Sequence, residues 1–178
     1  YQALSEMVDV ADLADYMLLN FWGGNTDWPH HNWYAARRRA PGEAFHFFSW
    51  DAEHVLKDLA EDVTDEDDAN TPGELFVRLL ASAGFREVLQ DRIERHFSQG
   101  GALQLPEEEN RPWELYAARA AEIDEAIVLE SARWGDYRRA EPYTRDDWLV
   151  ELAWMEQVWF PSRSQVVLQQ LEARGWAP

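Results

Sequence analysis

The sequence predicts a mainly α-helical domain with one small β-hairpin near its N-terminal end. Three observations carry that expectation. Two short aromatic-rich segments, "NWYAAR" and "FHFFSW", flank the turn signal "APGEA", the pattern of a hairpin. From Thr71 onward apolar residues recur at helical spacing almost without a break. A chain of 178 residues that is 46% hydrophobic suits a single domain with a real core.

The first element is a helix. Val10, Leu13, Tyr16, Met17 and Phe21 follow its spacing, Asp9 with Asp12 starts it, and Gly23 with Gly24 stops it. A loop from Asn25 to His31 leads into the hairpin. A two-stranded hairpin is marginal alone, so it must lie on the helices. After Trp50 a further helix is expected, broken by the exposed acidic stretch "EDVTDEDDANTPG". Leu75, Leu79 and Leu80 define the next helix, and Phe85, Val88, Leu89, Ile93 and Phe97 another, which ends at Gly100 and Gly101. A longer helix spans "LPEEENRPWELYAARAAEIDEAIVLESARWG", kinked or restarted at Pro112. Thr144 opens another with Asp147 as its capping-box partner. Pro161 starts the last, and Gly175 follows its end.

Composition narrows the function. A formal net charge of −18 argues against binding nucleic acid or an anionic membrane surface. The absence of Cys excludes disulfides, thiolate metal sites and Cys nucleophiles. No apolar run approaches the length of a membrane span, and no signal peptide is visible. Because the chain opens on Tyr1, a further segment is expected upstream.

Polar residues gather around the hairpin. Asp27 precedes the first strand, Asn32 stands at its entry, and Asp51 and Glu53 follow the second strand. A hairpin brings the start of one strand beside the end of the other, so Asn32 and Asp51 should be neighbours with Asp27 close by. Such oxygen donors suit Mg²⁺. The spacing D-x-x-x-x-N in "DWPHHN", then a hairpin, then an Asp in "WDAE", matches the layout in which protein kinases transfer phosphoryl groups.

"YMLLNFWGGNTDWPHHNWYAARRR" with "FHFFSWDAEHVL" resembles the CotH family of spore-coat kinases, and "AEIDEAIVLESARWGDYRR" and "YTRDDWLVELAWMEQVWFPSRSQVVLQQL" are similar to the helical tail of those proteins. The resemblance implies the C-terminal lobe of an atypical protein-kinase-like fold. Residues 1–60 would form the catalytic loop and metal hairpin, and residues 71–178 a helical subdomain. It implies ATP and Mg²⁺ as cofactors, a protein substrate, and a secreted or cell-surface location. Asp27 would orient or deprotonate the acceptor hydroxyl. Asn32 and Asp51 would hold metal and nucleotide phosphates, with Glu53 close enough to join the metal. A kinase also needs an N-terminal lobe with a Lys on the phosphates. The one Lys, Lys57, follows Asp51, and the stretch before Gly23 has room for one helix. The N-terminal lobe is therefore expected to be absent from this chain and to be a partner of it. The alternative is a non-catalytic structural or interaction module derived from such a lobe.

Plainer readings stand beside these. Asp27 also reads as a turn Asp, Asn32 as a strand-entry cap, and Asp51 as the cap of a helix from Ala52. His30 and His31 are adjacent, so their side chains should diverge rather than chelate one ion. A zinc site with His46 or His54 lacks supporting spacing. Arg37, Arg38 and Arg39 read as solvated or paired with carboxylates. The run from Asp58 to Asp68 reads as a solvated loop without EF-hand spacing. Trp148, Trp154 and Trp159 read as core.

Overall fold

The structure is a computed structural model that describes residues 2–105 and 110–177. Its centre is helix α2 (Val10–Gly23), which follows a short α1 (Gln2–Ser5). The Asp9 carboxylate accepts from the N–H groups of Ala11 and Asp12, at 3.1 and 3.0 Å, which opens the helix as expected. Gly24 closes it with φ 57, and its N–H returns to the carbonyls of Asn20 and Phe21. Leu13, Ala14, Tyr16, Met17, Leu18, Phe21 and Trp22 are all buried. A helix apolar around so much of its circumference belongs in a core. It packs on α3 (Pro72–Leu79), α4 (Ala83–Phe97) and α7 (Phe160–Ala173).

The hairpin pairs β1 (Trp33–Ala36) with β2 (His46–Ser49) in antiparallel register, Trp33 opposite Ser49 and Ala36 opposite His46. It lies on α2, as its marginal size requires. The Phe47 N–H donates to Asp12 Oδ2 at 2.8 Å. Phe45 exchanges backbone hydrogen bonds with Met7 and Asp9, and the Phe47 ring meets Tyr16 at 5.8 Å.

The segment after Trp50 corrects an expectation: 51–60 holds no helix. Asp51 and Leu56 have φ of 49° and 61°, which no right-handed helix tolerates. Backbone groups here serve the end of α2 instead. Leu56 N–H donates to Gly23 O at 2.8 Å, and Thr26 N–H to His54 O at 3.2 Å. Asp51 therefore caps no helix. The acidic stretch is not simply solvated either. Val63 and Thr64 are buried, and α7 ties the segment down through Gln170 to the Ala60 and Glu61 carbonyls and Arg174 to Thr64 Oγ1.

Helix α5 (Arg111–Trp134) begins where Asn110 accepts from the Trp113 N–H at 3.2 Å, with Pro112 in its first turn. The expected earlier part, 106–109, lies outside the described residues. Thr144 and Asp147 form the expected capping box on α6 (Arg145–Trp154). That helix does not stop before α7. A π turn over Met155–Trp159 joins the two. Pro161 has no N–H to give the turn before it, and a π turn is a common way to absorb such a mismatch. Trp159 is core and Trp154 packs against it, whereas Trp148 lines a cleft between α5 and α6. Among the described residues no helix is long and apolar enough to cross a membrane.

One consequence concerns Gly24. A Cβ there would lie 3.0 Å from Glu61 Cβ and 3.2 Å from Arg163 Nη2. The left-handed backbone alone costs an L residue about 1–2 kcal/mol. Gly24→Ala is expected to lower the thermal unfolding midpoint by about 2–4 °C per kcal/mol lost, read by circular dichroism.

Candidate active-site loop

The loop from Gly24 to Asn32 is held from beneath by a chain of amides. Asn20 (4% exposed) and Asn25 (1%) are buried. Asn20 Nδ2 donates to the Tyr16 carbonyl at 2.8 Å, and Asn25 Nδ2 donates to Asn20 Oδ1 at 2.9 Å. Asn25 Oδ1 accepts the Asp27 N–H at 3.1 Å. Buried polar groups of this kind are tolerated because each finds a partner. Trp28 anchors the next position. Its ring is buried, and its Nε1–H donates to the Tyr16 hydroxyl at 2.5 Å. Burial pushes that hydroxyl up to about 12, so it stays neutral and available as an acceptor.

Asp27 therefore sits at a fixed place on the surface, partly exposed. Asn32 reaches back to it: Nδ2 donates to Asp27 Oδ2 at 2.8 Å and to the Asp27 carbonyl at 3.3 Å. The five-residue spacing thus closes a ring between the two side chains. Asn32 is itself buried, with φ 63, a conformation Asn adopts more readily than most residues. Its carbonyl accepts the Trp50 N–H at 3.1 Å, so the hairpin brings the backbone at Asp51 beside Asn32.

The side chains divide around Asp27. Glu53 and His54 offer donor atoms within 4.8 Å of each other and of the Asp27 carboxylate. His30 and His31 form a second such group with Asp27. His31 Nε2 lies 2.9 Å from Asp27 Oδ1, and the two imidazole rings are 4.1 Å apart. The adjacent histidines do not diverge, because the loop bends between them. Asp51 is exposed and belongs to neither group. Arg37 is exposed and stacks over Phe45, 4.9 Å from the ring centre.

The donor set fits a hard cation. Asn32 has committed its nitrogen to Asp27, which leaves its oxygen to accept, and a Glu53 carboxylate oxygen lies within 4.8 Å of the Asp27 carboxylate. Oxygen donors of this kind suit Mg²⁺. The Asp51 carboxylate is not among these grouped donors.

Asn20, Asn25 and Trp28 position the loop, a role that no motif in the sequence marks. The one available signal was that Asn20, Asn25 and Asn32 flank Asp27 at short intervals. Adjacency alone predicts that the two histidines diverge, and the bend at this loop overrides it.

Among known proteins, a family model described as CotH kinase protein matches residues 1–159. No curated protein and no solved structure matches the chain.

Proposed function

Because the chain belongs to the CotH kinase family, we propose that it forms the catalytic-loop lobe of a protein kinase that moves the ATP γ-phosphoryl group to a protein hydroxyl. The observation that carries this reading is the closed contact between Asn32 and Asp27, with the hairpin returning Asp51 to the same end. Asp27 Oδ1 has His31 Nε2 beside it, while Asn32 holds Oδ2. The Asp27 carboxylate would accept the proton of the acceptor hydroxyl as its oxygen bonds to phosphorus and ADP leaves. Fixing that carboxylate in advance spares the reaction the cost of ordering it. Asn32, Asp51 and Glu53 would hold Mg²⁺, which when bound neutralises charge on the phosphates. An N-terminal lobe supplying the remaining nucleotide contacts, and a secreted or cell-surface location, belong to the same reading.

A second reading, a non-catalytic interaction module, draws on Lys57. The one Lys of the chain is exposed and lies beyond Asp51, so a phosphate-binding Lys must come from elsewhere.

Titration calorimetry with Mg²⁺ and ATP separates the two. Binding with a dissociation constant below about 1 mM is expected, weakened at least about tenfold by Asp51→Ala, or about 1.4 kcal/mol. No binding by the full-length protein, or equal binding by the Asp51→Ala variant, would remove this assignment.

A further inference from the structure

We propose that Asp27, His30 and His31 form a binding site for a late first-row divalent metal, Zn²⁺ in the first instance. Donor atoms of these three residues already lie within 4.8 Å of one another. Zinc binds nitrogen and oxygen at about 2.0–2.2 Å, so ligands around one tetrahedral ion stand about 3.4 Å apart. Side-chain rotation would close the remaining distance on binding. His31 Nε2 is already 2.9 Å from Asp27 Oδ1, and the His30 and His31 rings touch edge to face.

The chemistry of the donors selects the metal. Two imidazoles and one carboxylate favour zinc-like ions over Mg²⁺, which demands oxygen. The other group, Asp27 with Glu53 and His54, holds two carboxylates and is the harder of the two. Asp68 strengthens the contrast. Its Oδ2 lies 3.6 Å from His30 Nδ1, where a carboxylate can hold a metal-bound imidazole in place. The His30 and His31 side chains are 55% and 48% exposed, so an ion can reach them from solvent and keep water as a fourth ligand. The net charge of −18 draws cations to the surface.

A metal there engages the carboxylate that the proposed function assigns to the acceptor hydroxyl, so the two uses exclude each other. The binding test stands whether or not that assignment holds.

The full-length protein, stripped with chelator, is titrated with Zn²⁺ alone by calorimetry, and with Co²⁺ as a visible-absorption probe. One strong site is expected. His31→Gln and His30→Gln should each weaken it at least about tenfold, or about 1.4 kcal/mol, and the Co²⁺ bands should fade. His54→Gln should leave it within about twofold, well under 1 kcal/mol. Circular dichroism checks that the variants remain folded. Absence of zinc binding overturns the proposal. So does loss of binding in His54→Gln with retention in His30→Gln and His31→Gln, which would move the site to the other group.

Discussion

Arg163→Ala is expected to destabilise the fold by about 2–5 kcal/mol, because it takes a charged donor from buried backbone carbonyls at about 1–3 kcal/mol for each acceptor left unpaired. At this chain length that is about 2–4 °C of melting temperature per kcal/mol, read by thermal denaturation. Arg163 is fully buried on α7. Its guanidinium donates to the carbonyls of Trp22 (2.7 Å), Phe21 (2.6 Å) and Leu59 (2.7 Å). Two of those carbonyls belong to the last turn of α2, where helices leave acceptors unpaired and the helix dipole is negative. Removing the side chain strips the Trp22 and Leu59 carbonyls of this donor and leaves the Phe21 carbonyl only the Gly24 N–H. Burial lowers the guanidinium to about 10, against the opposing charges of Asp62, Glu61 and Asp58, so it remains a cation at neutral pH. The unfolded chain therefore holds this proton more tightly than the folded one. The cost of burying the charge is fully present below about pH 10 and is relieved above it, so this group brings no loss of stability on acidification. Arg163→Lys keeps the charge but not the planar fork that reaches three carbonyls, and it should recover only part of the loss. A variant as stable as the wild type would show that the α2 terminus is satisfied by other means.

Arg163 also marks the boundary of what the sequence discloses. The Asp9 cap, the Gly24 stop, the Thr144–Asp147 box and the hairpin turn are written within a few residues of where they act, and each is legible. The Arg163 contact with Trp22 spans 141 positions, and nothing local announces it. The stretch after Trp50 departs from its helical expectation for a related reason. Val55 and Leu56 suit a helix by composition, but the end of α2 takes the backbone of Leu56, and Thr26 takes that of His54. The candidate site divides in the same way. Asp27 and Asn32 are five residues apart and carry their own contact. The amide chain from Tyr16 through Asn20 and Asn25 is a property of the folded helix end, because an Asn looks alike in sequence whether buried or solvated. The meeting of His30 with His31 depends on a bend that the residue order does not state.

Asp27→Asn is expected to reduce phosphate incorporation by the full-length protein about 10²–10⁴-fold, the usual worth of a positioned general base, while Mg²⁺–ATP binding stays nearly unchanged. The substitution is chosen because it keeps the shape of the loop. The Asn32 Nδ2 donor would still find an oxygen at position 27, and the backbone N–H that donates to Asn25 Oδ1 is untouched. What disappears is the charge and basicity that take the hydroxyl proton. Asp27→Ala removes the acceptor of Asn32 as well, so it should also disturb the loop, and the comparison separates chemistry from positioning. Labelled-phosphate transfer measured beside calorimetric nucleotide binding gives both readings. A fall in binding with no fall in turnover at saturating ATP would place Asp27 with the metal ligands rather than at the acceptor. Unchanged transfer in both variants would detach the loop from catalysis altogether and leave the interaction-module reading in its place.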